Sequence, residues 1–333
     1  MPISQQLLLS VAQCTQASSV SHTQVIQTLW GGYGTLFRAF LSDAGVPSVV
    51  VKYIELPQPK SHPKGWNTVT SHQRKLDSYQ VEVNWYQSFA NQSHLQCHVP
   101  HCVSVERLDN VILLILDDLA PAGYGDVVTS PRQCHVEACL SWLAYFHAQH
   151  LHSVHTNRMM YSGLWPTGTY WHLATRPDEL HALQDTRLKQ AASLIDNTLH
   201  EAQYQTLVHG DAKLANFCFT PTGAKAAAVD FQYVGYGCGM KDVILLLSST
   251  LDFSKAEQQV PIYLDYYFAQ LSKAIKELCP HIESQSVEQE WRWLFPVAWA
   301  DFQRFVKGWS PEHWKINDYT EALTVQALDQ LGV

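Results

Sequence analysis

Leu207-Val208-His209-Gly210-Asp211-Ala212-Lys213-Leu214-Ala215-Asn216, followed by Val229-Asp230-Phe231-Gln232, is the stretch whose reading decides the fold. Asp211 can take a proton from a hydroxyl, and Asn216 and Asp230 can hold magnesium. Ala226-Ala227-Ala228-Val229 reads as a short strand running into Asp230, an acidic metal ligand. Taken alone, Asp211 could cap a turn after a strand. Its occurrence together with Asn216 and Asp230 argues for a base beside metal ligands, the combination that phosphoryl transfer needs. His209 reads as a residue that orients the loop by hydrogen bonding, without proton transfer. Lys213 is either a cation that neutralises charge building on a transferred phosphoryl group or a surface lysine.

Upstream, residues 4 to 17 read as an amphipathic helix, Val25 to Trp30 as a strand and Gly31-Gly32-Tyr33-Gly34 as a turn. Thr35 to Leu41 and Ser48 to Ile54 complete a three-strand meander. The three glycines could bring backbone amides close to phosphates, or simply make a hairpin turn; the last glycine position of a GxGxxG pattern is filled by Leu36 or Phe37. Lys52 sits in an otherwise apolar strand, where a lysine is costly unless paired. It is either a solvated edge-strand lysine or the partner of a carboxylate: Glu82, on a helix expected from about Arg74 to Ala90, or its near rival Glu55. Pro57 to Ser71 reads as a loop. Val111 to Leu116 is an apolar strand ending in Asp117-Asp118-Leu119. Helices then predominate, over Cys134 to His150, over residues 180 to 202, and from Val243 to the end. The expected class is α+β, with residues 1–118 as one lobe and 119–333 as a second, helical one.

The chain has 333 residues, enough for two lobes, with 46% hydrophobic and 16% charged residues, as in a globular protein. A net charge of −8 argues against broad nucleic-acid binding and is compatible with a cationic or neutral substrate. The eight cysteines form no CxxC pair, so a reduced, cytoplasmic compartment is expected, with no signal peptide or membrane span. His94, His98 and His101, near Cys97 and Cys102, invite either a metal site or a polar loop. His147 is expected to be a satisfied, half-buried histidine. Asp242 is expected to be a helix N-cap, a brace for the loop at Asp211, or both.

These residues resemble those of the aminoglycoside phosphotransferase and choline kinase superfamily, the small-molecule relatives of protein kinases, over roughly residues 25 to 250. The segment from His209-Gly210-Asp211 to Asn216 looks like the catalytic loop of that superfamily. Asp230-Phe231-Gln232 stands where Asp-Phe-Gly is usual. With Phe146-His147-Ala148 and Glu82-Val83-Asn84-Trp85-Tyr86, it is similar to the ecdysteroid-kinase-like branch. The resemblance implies a bilobal protein-kinase-like fold with a small β-rich N-lobe and a larger helical C-lobe. It also implies ATP and Mg2+ as cofactors. Lys52 would grip the α- and β-phosphates, paired with Glu82, and Gly31, Gly32 and Gly34 would lie over the phosphates. Adenine would be read by hinge backbone groups at Asp117 and Leu119. Gly210 stands where protein kinases have arginine, and the segment from Gln232 to Asp242 is too short for a protein-docking loop. Both departures favour a small-molecule hydroxyl acceptor over a protein substrate.

The acceptor is expected in the helical lobe, between residues 161–172 and the tail Trp291 to Trp314. Trp165, Trp171 and Asp301 are candidate contacts. Aromatic faces beside a carboxylate suit a cationic head group, or a flat alcohol such as a sterol; they equally suit helix packing. The leading expectation is an ATP- and Mg2+-dependent small-molecule kinase. A catalytically silent nucleotide- or ligand-binding module, a protein kinase and a metal hydrolase are the rivals.

Overall fold

The computed structural model describes residues 3–55, 69–108, 110–153 and 161–333, so most of the loop expected from Pro57 to Ser71 lies outside the described residues. The chain opens with α1 (Gln5–Cys14), whose first turn is capped by the Ser4 hydroxyl accepting from the Leu7 amide at 3.2 Å. Next come β1 (Ser19–Thr28), β2 (Gly34–Ser42), β3 (Ser48–Glu55), α2 (Val69–Ser88), β4 (Cys102–Leu108) and β5 (Val111–Asp117). These strands form an antiparallel sheet in the order β1-β2-β3-β5-β4. The meander is thus extended by a hairpin whose outer strand, β4, was not expected. Its polar Ser104, Glu106 and Arg107 give an edge strand little hydrophobic signal. The leading strand also starts earlier than the Val25–Trp30 expectation.

Alternation along the strands explains both faces of the sheet. Val49 and Val51 of β3, with Leu113 and Ile115 of β5, pack with Val11 of α1 on one side. Ile54 and Ile112 pack with Tyr79 and Val83 of α2 on the other. Lys52 shares the face of Ile54, which directs it toward α2 and the cleft. Because β5 is covered on both sides, it reads as an unbroken apolar run rather than as an alternating one.

The helical part begins with α3 (Gln133–Gln149), followed by β6 (His152–Ser153), α4 (Pro177–Ala182) and α5 (Thr186–His200). The helix expected over 180 to 202 is therefore two helices. The break falls where the Asp185 carboxylate accepts from the Leu188 amide at 3.1 Å and starts a new helix. Then come β7 (Tyr204–Val208), β8 (Phe217–Phe219), β9 (Ala226–Ala228) and β10 (Gly235–Gly237). The last helices are α6 (Met240–Thr250), α7 (Ala256–Leu278), α8 (Ser284–Trp309) and α9 (Asp318–Gln330). Val243 to Leu247 of α6 are all buried, which explains a helix with no polar face. Trp142, Trp171, Trp291 and Trp299 are fully buried in the same core, so these tryptophans serve packing. Among the described residues no helix is long and apolar enough to cross a membrane.

Candidate active site

A cleft of about 1770 Å³ runs between the sheet and the helices. It is lined on the strand side by Gly31, Gly32, Lys52 and Glu82, at the joint by Asp117, Asp118 and Leu119, and on the helical side by Asp211, Lys213, Asn216 and Asp230.

Lys52 is buried, and its Nζ donates to both Glu82 oxygens at 2.8 Å and to Asp230 Oδ1 at 3.0 Å. Glu55, the rival partner, lies three residues further along the strand and makes no ion pair with Lys52. Burial pushes the Glu82 carboxyl up to about 7 against the pull of Lys52, and Asp230 adds to the push. Burial pulls the Lys52 ammonium down, but Asp230 and Glu82 together hold it above its ordinary range. Two carboxylates thus share one buried cation.

Asp230 follows β9 with φ of 69°, a left-handed conformation uncommon for a residue with a Cβ. Phe231 anchors it: the ring is fully buried and stacks on Trp85 of α2 at 4.6 Å, with His209 at 4.5 Å. Burial would raise the Asp230 carboxyl, but Lys52, Lys75 and Lys213 hold it well below the usual carboxylate range. Gln232 Nε2 donates to the same Oδ1 at 2.7 Å, while Gln232 Oε1 accepts from Lys75 at 2.7 Å and from Ser78 at 3.1 Å. Lys75, Ser78 and Glu82 share one face of α2, at helical spacing.

The loop after β7 is fixed from behind. Asp242, fully buried in the first turn of α6, accepts the His209 amide at 2.5 Å and the Gly210 amide at 2.9 Å. It braces the loop but is not an N-cap; that position belongs to Gly239. His147 is wholly buried rather than half-buried, between Tyr267 Oη at 2.7 Å and Asp242 at 3.2 Å. Gly210 has φ of 79°, and a Cβ there would stand 2.0 Å from the Tyr233 carbonyl, so no side chain fits. His209 Nε2 lies 3.0 Å from the Val229 carbonyl and Nδ1 accepts the Asp211 amide at 3.2 Å, so both ring nitrogens are engaged in holding the loop.

Asp211 is buried, and one carboxylate oxygen is committed: Oδ2 accepts from Lys213 Nζ at 2.7 Å and Asn216 Nδ2 at 3.1 Å. Oδ1 is buried and has no partner among the described residues. Burial raises the Asp211 carboxyl despite Lys213, and Asp230 adds to the rise. Lys213 is pulled down by burial but held above its ordinary range by Asp211. Asn216 donates to Asp211 on both the main-chain and the side-chain oxygen, which leaves its amide oxygen as the remaining acceptor. With the Asp230 oxygen that neither Lys52 nor Gln232 contacts, this offers two hard oxygen donors in one cleft, the donor chemistry that Mg2+ takes.

Other expected contacts fall elsewhere. Gly34 does not line the cleft: its Cβ would meet the Tyr53 carbonyl at 2.0 Å, so close strand approach requires the glycine. Trp171 and Asp301 are fully buried and face each other, Trp171 Nε1 donating to Asp301 Oδ2 at 2.9 Å. Arg304 at 2.8 Å and Lys241 at 3.5 Å complete that buried ion cluster. Trp165 donates to the Gln232 carbonyl at 2.8 Å and is likewise outside the cleft lining. The expectation that Trp171 and Asp301 contact substrate is therefore corrected, since both are core residues, and half-buried Trp165 lies outside the cleft lining. The wall beside Asp211 is made instead by Tyr170, Arg176, Tyr233, Phe305 and Trp309. Tyr170, Phe305 and Trp309 lie in the two segments expected to hold the acceptor, whereas sequence reading passed over Arg176, Tyr233 and Lys75, for the last of which the spacing of seven from Glu82 was the available signal. His94 pairs with Glu277 at 3.2 Å, His98 stacks on Tyr124 and His101 pairs with Asp117 at 2.9 Å. Among the described residues no cluster of three or more metal-ligating side chains is present.

Residues 168–279 match the model of the ecdysteroid kinase-like family. No curated protein matches the sequence. Among solved structures, choline kinase from Cryptosporidium parvum Iowa II is similar with a TM-score of 0.54 and 10% identity, over 98% of this chain and 95% of that one. The microcompartment-associated aminopropanol kinase is similar with a TM-score of 0.50 and 14% identity, over 97% and 94% of the two chains. At such identity the likeness is one of fold. The chain has the bilobal fold of these small-molecule kinases, a β-rich lobe on a helical one, and the segment 168–279, which holds Asp211, Asn216 and Asp230, carries the resemblance to the ecdysteroid kinase-like family.

Proposed function

We propose that this protein is an ATP- and Mg2+-dependent kinase that phosphorylates a hydroxyl of a small molecule. The observation that carries the reading is the division of labour at Asp211, a residue that lines the cleft: one oxygen is held by Lys213 and Asn216, and the other is buried and unpartnered among the described residues. A carboxylate fixed in this way is ready to accept one hydrogen bond from an alcohol.

In the proposed reaction the acceptor hydroxyl donates to Asp211 Oδ1, and its oxygen attacks the γ-phosphorus of ATP. The O–P bond forms as the bond to the β-phosphate oxygen breaks, and the electron pair leaves with ADP. The hydroxyl proton passes to Asp211. Lys52, held by Glu82, offsets charge on the phosphates that stay with ADP. Lys213, beside Asp211, offsets charge on the group in flight. Asn216 and Asp230 would hold Mg2+, which supplies neutralisation of the phosphate oxygens. His209 and Asp242 act through the loop as positioning residues. The hinge backbone at Asp117 and Leu119 would read the base, with Gly31 and Gly32 over the phosphates. The division into lobes at residues 118 and 119, a cytoplasmic location and the lack of a protein, nucleic-acid or membrane partner belong to the same reading.

Calorimetric titration of Mg·ATP into the wild type and Asp230→Asn tests the nucleotide site. Magnesium-dependent binding that weakens in the variant is expected. ADP release with a panel of small alcohols then tests transfer. Binding without ADP release for any alcohol would instead make the protein a silent nucleotide-binding module.

A further inference from the structure

Resting on the kinase reading above, the structure points to a class of acceptor. We infer that the alcohol carries an anionic group on an apolar body, and that Arg74, backed by Arg176, receives the anion.

The wall where an acceptor must lie is tied directly to the loop of Asp211, because the Tyr170 amide donates to the Gly210 carbonyl at 3.2 Å. From Tyr170 the wall runs through Phe305 at 5.5 Å to Trp309, whose ring stacks 6.0 Å further on, with Tyr233 at 5.9 Å on the other side. Tyr170 meets Phe305 and Tyr233 edge to face, and together these rings make a wall that suits an apolar body. Two guanidinium groups border them. Arg176 is buried, lies over the Phe305 ring at 5.0 Å, and donates to the Tyr170 carbonyl at 2.5 Å and to Glu179 at 3.1 Å. Arg74 reaches across from α2 to the Thr175 carbonyl at 2.6 Å and to the Ser71 hydroxyl at 3.2 Å. Among the described residues it has no carboxylate partner within ion-pair distance.

The charge balance of this end of the cleft is therefore positive. Glu179 is committed to Arg176, and Asp178 is exposed on α4. Asp211 and Asp230 belong to the reacting centre, Glu82 to Lys52, and Asp118 to Arg38 at 2.6 Å. Lys75 faces Asp230 and Gln232 and belongs with the reacting centre. The segments 56–68 and 154–160 contain no Asp or Glu, so they supply no acid to offset the positive charge. Arg74 also sits close enough to Arg176 for the two charges to repel, and burial and that repulsion together lower its pKa. Like charges held together in a partly dry cleft are relieved by an anion, and a planar fork suits a carboxylate, sulfate or phosphate. An ammonium group, which aromatic walls alone would welcome, meets the wrong sign here.

The test uses three matched benzyl alcohols: para-(hydroxymethyl)benzoate, benzene-para-dimethanol and para-(hydroxymethyl)benzylamine. Each is titrated into wild type and Arg74→Gln, both saturated with a non-hydrolysable Mg·ATP analogue whose affinity is measured first. The wild type is expected to bind the benzoate about tenfold more tightly than the neutral diol, and the amine most weakly. In Arg74→Gln that preference should vanish while affinity for the nucleotide analogue stays within about twofold. Equal binding of the three, tighter binding of the amine, or no binding of any overturns the inference. So does a loss of nucleotide affinity in Arg74→Gln, which would assign Arg74 to the phosphates. Failure of the wild type to bind the nucleotide analogue would be a failure of the kinase reading itself, visible before any alcohol is added.

Discussion

Gln232 donates to the Asp230 oxygen that Lys52 also contacts, and its own carbonyl oxygen is held by Lys75 and Ser78 from α2. The residue that stands where protein kinases carry glycine thus ties the candidate metal ligand to the helix of Glu82. Gln232→Ala removes this tie while leaving the Lys52 contact. Outer groups that orient a metal ligand are worth about ten- to a hundredfold in metal affinity. The Mg2+ concentration for half-maximal nucleotide binding should rise by that order, with little change in thermal stability. An unchanged Mg2+ dependence would show that Lys52 alone orients Asp230.

Asp211→Asn keeps the shape of the loop and its bond with Lys213 but cannot take a proton. Turnover should drop about a hundred- to ten-thousandfold, the usual range for a general base. Mg·ATP affinity should change by no more than about threefold, because Asp211 touches neither Lys52 nor Asp230 and Asn216 keeps its bond to the main-chain carbonyl of residue 211. Retained turnover in this variant would remove the base role.

Burial raises the Asp211 carboxyl above the ordinary aspartate range. The base works only when deprotonated, so activity should fall as pH drops. The raised value moves that fall to a higher pH than an exposed aspartate, near about 4, would give. The pH profile of kcat/KM should carry this acid limb in the wild type and lack it in the residual activity of Asp211→Asn. A profile flat down to pH about 4 would contradict the burial argument.

Asp242→Ala strips two buried amides and His147 of their acceptor. Breaking such a network costs about 3–5 kcal/mol. Urea denaturation should show a loss of that order. Asp242→Asn, which retains one acceptor oxygen, should lose less.

Asp301→Ala should act on stability and not on catalysis. It leaves Lys241 and Arg304 buried without their shared carboxylate, again a cost of about 3–5 kcal/mol. At a temperature where the variant stays folded, its acceptor KM should match the wild type. A selective rise in KM with stability intact would return Asp301 to the substrate site.

Much of the candidate site was legible because it is local. The spacing from Asp211 to Asn216 and the short strand before Asp230 are properties of neighbouring residues. So is the alternation that sends Lys52 to one face of β3. Glu82 could be narrowed against Glu55 only by the fold: both carboxylates are compatible with the sequence, and helix docking through Trp85 on Phe231 brings one of them to Lys52. The tryptophan-rich tail misled for the opposite reason. An aromatic residue on an amphipathic helix reads alike whether it faces a ligand or a neighbouring helix.

By itself the sequence determined the fold class, the short strand that leads into Asp230, and which charged residues, Lys52, Asp211, Lys213 and Asp230, meet in one cleft. Hydrophobic periodicity and short-range spacing are written directly in the chain. Only the tertiary structure decided that Asp301 and Trp171 are core and that Gln232 braces Asp230. It alone brought Arg74 and Arg176 beside one aromatic wall. The partners in those contacts come from segments distant in sequence, and which polar groups meet in a desolvated interior is fixed by how helices and sheet pack, not by what stands next to what along the chain.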